Sequence, residues 1–295
     1  MTSLHRFLKG ISMKFKALWI AGLVLAATAG HVQAGFSSPN YSADVVFQDR
    51  LDSTTMTLAF DGTHYWSTSG GSSFGTREAQ YNSGGSLVAT FAPGLDFRSV
   101  FTDSSGDVFA RQYNNSTIYK QTSPGVFSAH VVLAGAIDDQ SSVVLNGNGT
   151  EYIALDSGTV NRWNTSGTAL SSISLIGWGS VAGETNYPAN RGIAAVGDSW
   201  LTYSDGTLSM WDSLGNRTGQ TTLIGAGTTF DSHFSLSYAN GRVFIVDEAG
   251  GNWRGYDVGL SSSPVPEPGS IALWGLGALG AMFARRKREW MKLAA

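Results

Sequence analysis

Cysteine is absent from all 295 residues. That excludes disulfides, thiolate metal sites and cysteine nucleophiles together, so stability must come from a packed core. Proline is scarce, with 7 residues against 37 glycines, which rules out a collagen-like or Pro-rich chain and points to many glycine turns. Charged residues make up only 14% of the chain, about half the usual share. Lys120 is the only lysine between positions 35 and 284. Nine of the 19 basic residues lie in residues 1–34 or in the last eleven positions, leaving ten in the body against 21 of the 22 acidic ones. A body charge of −11 repels phosphate backbones and argues against nucleic-acid binding; it suits cations or neutral ligands such as sugars. Histidines 64, 130 and 233 stand alone, without the HxH or HExxH spacing of a zinc site. Asp231-Ser232-His233 invites a triad reading, but the body shows no amphipathic helix to build the strand–turn–helix of a nucleophile elbow. No catalytic residue and no cofactor are expected on these grounds.

What the chain has is apolar: 42% of residues are hydrophobic and 12% aromatic, enough for a real core. Two apolar runs sit at the ends. Arg6, Lys9, Lys14 and Lys16 are followed or flanked by Ala17–Gly30 and then by Val32-Gln33-Ala34, the layout of a secretory signal cleaved by signal peptidase after Ala34. At the other end Val265-Pro266-Glu267-Pro268 precedes the apolar run Ile271–Ala284 and the basic cluster Arg285, Arg286, Lys287, Arg288. Fourteen apolar residues make a helix of ~21 Å, with the basic cluster held on the cytoplasmic side as a stop-transfer element. Pro266 and Pro268 keep that helix from extending outward. Gly275-Leu276-Gly277-Ala278-Leu279-Gly280 matches GxGxxG, but with no preceding strand these glycines read as small residues of a membrane helix.

Pro-Glu-Pro, an apolar span and a terminal Arg/Lys cluster together resemble the PEP-CTERM sorting signal. The resemblance implies handling by exosortase, a membrane-embedded cysteine protease, in a bacterium that makes exopolysaccharide. It covers about 25 residues and speaks to sorting rather than to what the body does. The expected division is a signal peptide at 1–34, a β domain at 35–258, a linker at 259–264 and the sorting signal with its transmembrane helix at 265–290.

The body alternates short β-prone runs with Gly, Asn, Asp and Ser turns. Gly-x-x-aromatic recurs five times, at Gly62/Tyr65, Gly106/Phe109, Gly149/Tyr152, Gly197/Trp200 and Gly241/Phe244. The glycine intervals are 44, 43, 48 and 44, a period that marks a propeller. A second aromatic follows in each unit: Tyr81, Tyr119, Trp163, Trp211 and Tyr256. The fold class expected is therefore all-β, a five-bladed propeller of four-stranded units, flanked by a signal-peptide helix and a C-terminal membrane helix. The last unit lacks its outer strand, and the leading run Ala43–Gln48 is a strand without a unit. It is expected to complete the fifth blade and close the ring, because open sheet edges invite aggregation.

Ten residues before the repeat glycines stand Asp52, Asp96, Asp139 and Asp231, with Tyr187 at that place in the fourth unit. All would lie where the chain runs into an innermost strand, around one rim of the channel. Such carboxylates suit a cation or a polar sugar, or simply cap their own turns. Asp138 and Asp139 would point to opposite faces if extended. The longer connection Ile176–Arg191 adds Trp178 beside Tyr187, aromatics of the kind that hold sugars and peptides. The function these features suggest is an exported, surface-sorted, non-catalytic propeller binding extracellular polysaccharide or protein in a biofilm or envelope. The alternatives are a polysaccharide lyase or glycosidase at the Asp-lined rim, and a purely structural matrix component.

Overall fold

The computed structural model describes residues 35–51, 54–71, 76–247 and 251–260. The signal peptide, Asp52, the sorting tail with its GxGxxG run, and the expected flanking helices lie outside the described residues.

Five antiparallel sheets follow one another along the chain. Blade 1 holds β3 (Thr55–Phe60), β4 (His64–Ser69), β5 (Glu78–Asn82) and β6 (Leu87–Phe91). Blade 2 holds β7 (Phe97–Thr102), β8 (Val108–Gln112), β9 (Thr117–Ser123) and β10 (Val126–Val132). Blade 3 holds β11 (Val143–Leu145), β12 (Glu151–Asp156), β13 (Thr159–Asn164) and β14 (Ile173–Ser174). Blade 4 holds β15 (Ala194–Val196), β16 (Ser199–Ser204), β17 (Thr207–Trp211) and β18 (Arg217–Ile224). Blade 5 supplies β19 (Ser237–Ala239), β20 (Arg242–Val246) and β21 (Asn252–Tyr256). Its fourth strand is β2 (Val45–Gln48), which pairs antiparallel with β21 from Val45↔Gly255 to Gln48↔Asn252. The leading strand thus closes the ring as the sequence suggests. A further strand, β1 (Asn40–Ser42), was not expected; it lies parallel to β18 on the outer edge of blade 4. The N-terminal segment therefore staples two blades.

The inner strands β3, β7, β11, β15 and β19 neighbour one another in order and back to β3, which makes the ring. Hydroxyl groups stitch their junctions. Thr57 Oγ1 donates to Val100 O and accepts Val100 N–H, and Ser99 does the same with Val143. Ser142 Oγ donates to Arg191 O and accepts Ile193 N–H, and Ser237 Oγ accepts Leu58 N–H. Small hydroxyls there satisfy backbone groups that no sheet ladder reaches.

Every repeat glycine turns the chain from an inner to a second strand with φ between +53° and +95°, a region that favours glycine. The aromatic three residues on is buried in each blade. In blades 2 to 5 it pairs with the residue eleven positions later: Phe109↔Lys120, Tyr152↔Trp163, Trp200↔Trp211 and Phe244↔Gly255. The second aromatics Tyr119 and Tyr256 are one step off this register, so they sit on the opposite sheet face. Phe244 accordingly packs toward blade 1, and Tyr256 toward blade 4. Apolar clusters fill the junctions. Phe47 of the closing strand joins Tyr65, Tyr81 and Phe244 between blades 5 and 1. Burying a side chain of that size contributes ~1.5–3 kcal/mol.

Candidate ligand-binding rim

Chain direction gives the ring two unlike ends. Inner strands start at the rim and finish at the Gly turns. At the Gly-turn face the channel opens into a cavity of 1050 Å³, lined by inner-strand ends and turn residues such as Thr102, Asp103, Asn146, Tyr238 and Asn240.

The opposite rim carries the residues singled out by the ten-residue offset. Asp96 stands just before β7 and binds Arg98 Nη1 at 2.5 Å, while its Oδ1 also accepts Gly71 N–H from blade 1. Arg98 is almost fully buried; its Nε donates to Gln140 of blade 3 at 2.8 Å and its guanidinium lies over the Tyr113 ring at 4.5 Å. Asp139 is exposed, and it is its backbone carbonyl that is used, accepting from Arg111 Nη1. Its neighbour Asp138 pairs instead with Arg191 Nε at 2.8 Å, and Arg191 Nη1 reaches Asp156 at 2.9 Å. Arg111 is fully buried and also donates to Asn115 O and Ser141 O. Burial, with Arg98 close by, pulls its guanidinium down to about 10.

Tyr187 and Trp178 part company. Trp178 is half-buried against Trp211, over which Arg217 is stacked at 4.2 Å. Buried Glu184 anchors this connection by binding Arg217 Nη2 through both carboxylate oxygens and accepting Gly179 N–H. Tyr187 is 48% exposed and meets Phe230, 59% exposed, edge to face at 5.7 Å. Partial burial raises the Tyr187 phenol, and the charges of Arg98, Asp138 and Arg191 all reach it. The two rings thus border the ion-paired cluster.

Asp231 lies on α1 (Phe230–Phe234), a short helix capped by Thr229 that the sequence did not suggest. It is 5% exposed and accepts Thr55 N–H, while the Thr55 hydroxyl donates to Asp49, which is fully buried. Burial, with the Asp49 charge next, pushes the Asp231 carboxyl up to about 7; burial also raises Asp49. His233 on the same helix places Nδ1 2.6 Å from Thr229 O and Nε2 3.1 Å from Asp205, two oxygens that only accept. Among the described residues no group of three or more His, Asp or Glu side chains is arranged to hold a metal ion.

The rim therefore gathers Asp96 and Tyr187, which the repeat offset picks out, with Arg98, Tyr113, Gln140 and Phe230, which it does not. Phe230 was legible only as an aromatic beside Asp231 in the connection before blade 5.

Comparison with known proteins agrees with this architecture and with the tail. Residues 264–288 match the PEP-CTERM protein-sorting motif. The chain is thus a five-bladed propeller bearing a signal for export and envelope sorting. Among solved structures it is similar to the glutaminyl cyclase of Myxococcus xanthus, at 10% identity and TM-score 0.54, covering 75% of this chain and 97% of that one. It is also similar to the virginiamycin B lyase of Staphylococcus aureus, at 12% identity and TM-score 0.38, covering 70% and 72%. The first likeness speaks to the fold alone. No curated protein is significantly similar to the chain.

Proposed function

We propose that the rim binds extracellular polysaccharide without turning it over, on a propeller that exosortase and signal peptidase process for display in an envelope or biofilm. The observation that carries this reading is the exposed Tyr187–Phe230 pair bordering the Arg98–Asp96 and Arg191–Asp138 ion pairs. Sugar rings stack their C–H faces on such aromatics, while fixed polar groups bond the hydroxyls. In this reading Ile271–Ala284 spans the membrane until the tail is processed. No helix among the described residues is long and apolar enough to do so.

The enzyme alternative has one observation in its favour. Asp231, held near neutrality beside a second carboxylate, has the proton affinity of a general acid. Yet Asp231 is 5% exposed and Asp49 fully buried, so a polymer does not reach them, whereas Asp96 and Asp138 are engaged by arginines. Glycan-array binding of the mature chain, Gly35–Ala295, tests the proposal. Tyr187→Ala with Phe230→Ala should weaken a captured glycan at least about tenfold at unchanged stability, the loss of ~1.4 kcal/mol or more. Binding unaffected by the double change, or glycan cleavage by the unmodified chain, would remove it.

A further inference from the structure

The last described residues say where the sorting tail leaves the ring. After β21 the chain runs through Val258 and Leu260, both buried with Ala194, Val196 and Leu236 between blades 4 and 5. Leu260 O accepts a 2.5 Å hydrogen bond from Tyr238, which stands on inner strand β19 at its Gly-turn end and lines the cavity there. The exit is thus close to the channel axis, on the face opposite Tyr187 and Phe230.

Chain length then restricts how the ring meets a membrane. Ten residues, and so eleven residue-to-residue steps, lie between Leu260 and Ile271, with Pro264, Pro266 and Pro268 among them. In proline-type backbone those eleven steps span ~34 Å. To bring the rim to the membrane, the tail must cross the width of a four-stranded blade, ~14 Å, and climb a six-residue strand, ~20 Å. That route consumes the whole length and leaves no slack. With the Gly-turn face down the tail needs none of it. Asp61, Asp103 and Asp198 on that face would be repelled by anionic headgroups, but only within a screening length of ~10 Å at 0.1 M salt. The tail is long enough to hold the face beyond that range.

We propose that the sorting tail holds the propeller with its Gly-turn face and cavity toward the membrane and the rim outward. This rests on the reading of residues 265–290 as a membrane-held tail, and not on rim binding. The absence of cysteine makes the test direct. Ser104→Cys on the Gly-turn face, Ser128→Cys on the outer edge of blade 2 and Asn186→Cys beside Tyr187 each carry one donor dye, on exposed positions. The full mature chain is inserted into phosphatidylethanolamine–phosphatidylglycerol vesicles with an acceptor-labelled lipid, and insertion is scored separately by flotation. Energy transfer should fall in the order Ser104, Ser128, Asn186, at least about twofold from first to last, because a strand height of ~20 Å separates the end positions. Equal transfer from all three, or strongest transfer from Asn186, would overturn the orientation while leaving the tail reading intact. Failure to float would overturn both. Loss of glycan capture with the expected transfer order would count against the rim alone.

Discussion

The two ends of the channel are built from the same repeat but by different chemistry. On the Gly-turn face, polar side chains mostly serve their own turns. Asp61 accepts Thr63 and His64 N–H, Asp103 accepts Ser105 and Asp107 N–H, and Asn146 accepts Thr150 N–H. Asn148–Asp198, Asn240–Tyr65 and Thr102–Phe60 are exceptions that link neighbouring blades. At the rim the bonds cross from blade to blade: Gly71 to Asp96, Arg98 to Gln140, Arg111 to Ser141, Arg191 to Ser157. One face relies mainly on self-contained turns, and the other ties the blades into a single polar layer. Damage at the first should stay local; damage at the second should spread.

The sharpest way to break this contrast is Arg111→Ala. It strips a buried guanidinium from three carbonyls, those of Asn115, Asp139 and Ser141, and should cost about 3–5 kcal/mol in urea unfolding. A loss below about 1 kcal/mol would mean that the rim layer does not hold the blades together.

The next test uses pH. The Asp231 carboxyl rises from its ordinary 3.8 to about 7 in the fold, because burial and then the Asp49 charge disfavour ionisation. The folded chain therefore holds a proton that the unfolded chain releases. Its contribution to stability is complete below about pH 4 and is lost as pH rises through 7. Glu78, buried between blades 1 and 2 and bonded by Gln121 and Gly125, is pushed up to about 8 and acts with the same sign. Thermal unfolding should show a falling Tm from pH 4 to pH 8. Asp231→Asn, which keeps an acceptor for Thr55 N–H, should flatten the slope up to pH 7, and an unchanged slope would contradict the buried pair.

The smallest effect belongs to the Gly-turn face. Asp103→Ala frees two turn N–H groups that water reaches, and should cost about 1 kcal/mol without altering glycan binding. A cost as large as that of Arg111→Ala would erase the distinction.

The same contrast governs what the sequence discloses. Gly-x-x-aromatic marks a local event, a positive-φ turn followed by a buried ring, and it located all five blades. The closing strand was legible because the last unit was one strand short. The second aromatics were only half legible. Their spacings of 10 and 12 in blades 2 and 5 differ from the constant register of eleven, so Tyr119 and Tyr256 change face. Strand β1 escaped notice because its partner β18 is some 180 residues away and parallel. At the rim, the ten-residue offset correctly placed Asp96 ahead of an inner strand, yet gave no hint that Arg98 would hold it. Asp231 was visible as a letter, whereas its helix and its buried neighbour Asp49 depend on blade 5 meeting blade 1 across the whole chain. Cross-blade partners have no fixed spacing, so no local pattern announces them.

The exit of the tail from β21 has a mechanical consequence. That strand lies between β20 and β2, hydrogen-bonded on both sides. Tension drawn through Leu260 loads both ladders along their length, so they resist in shear rather than peeling apart one bond at a time. A matrix that drags on the rim would pull against the best-braced strand of the fifth blade, with the leader-proximal segment acting as its lashing.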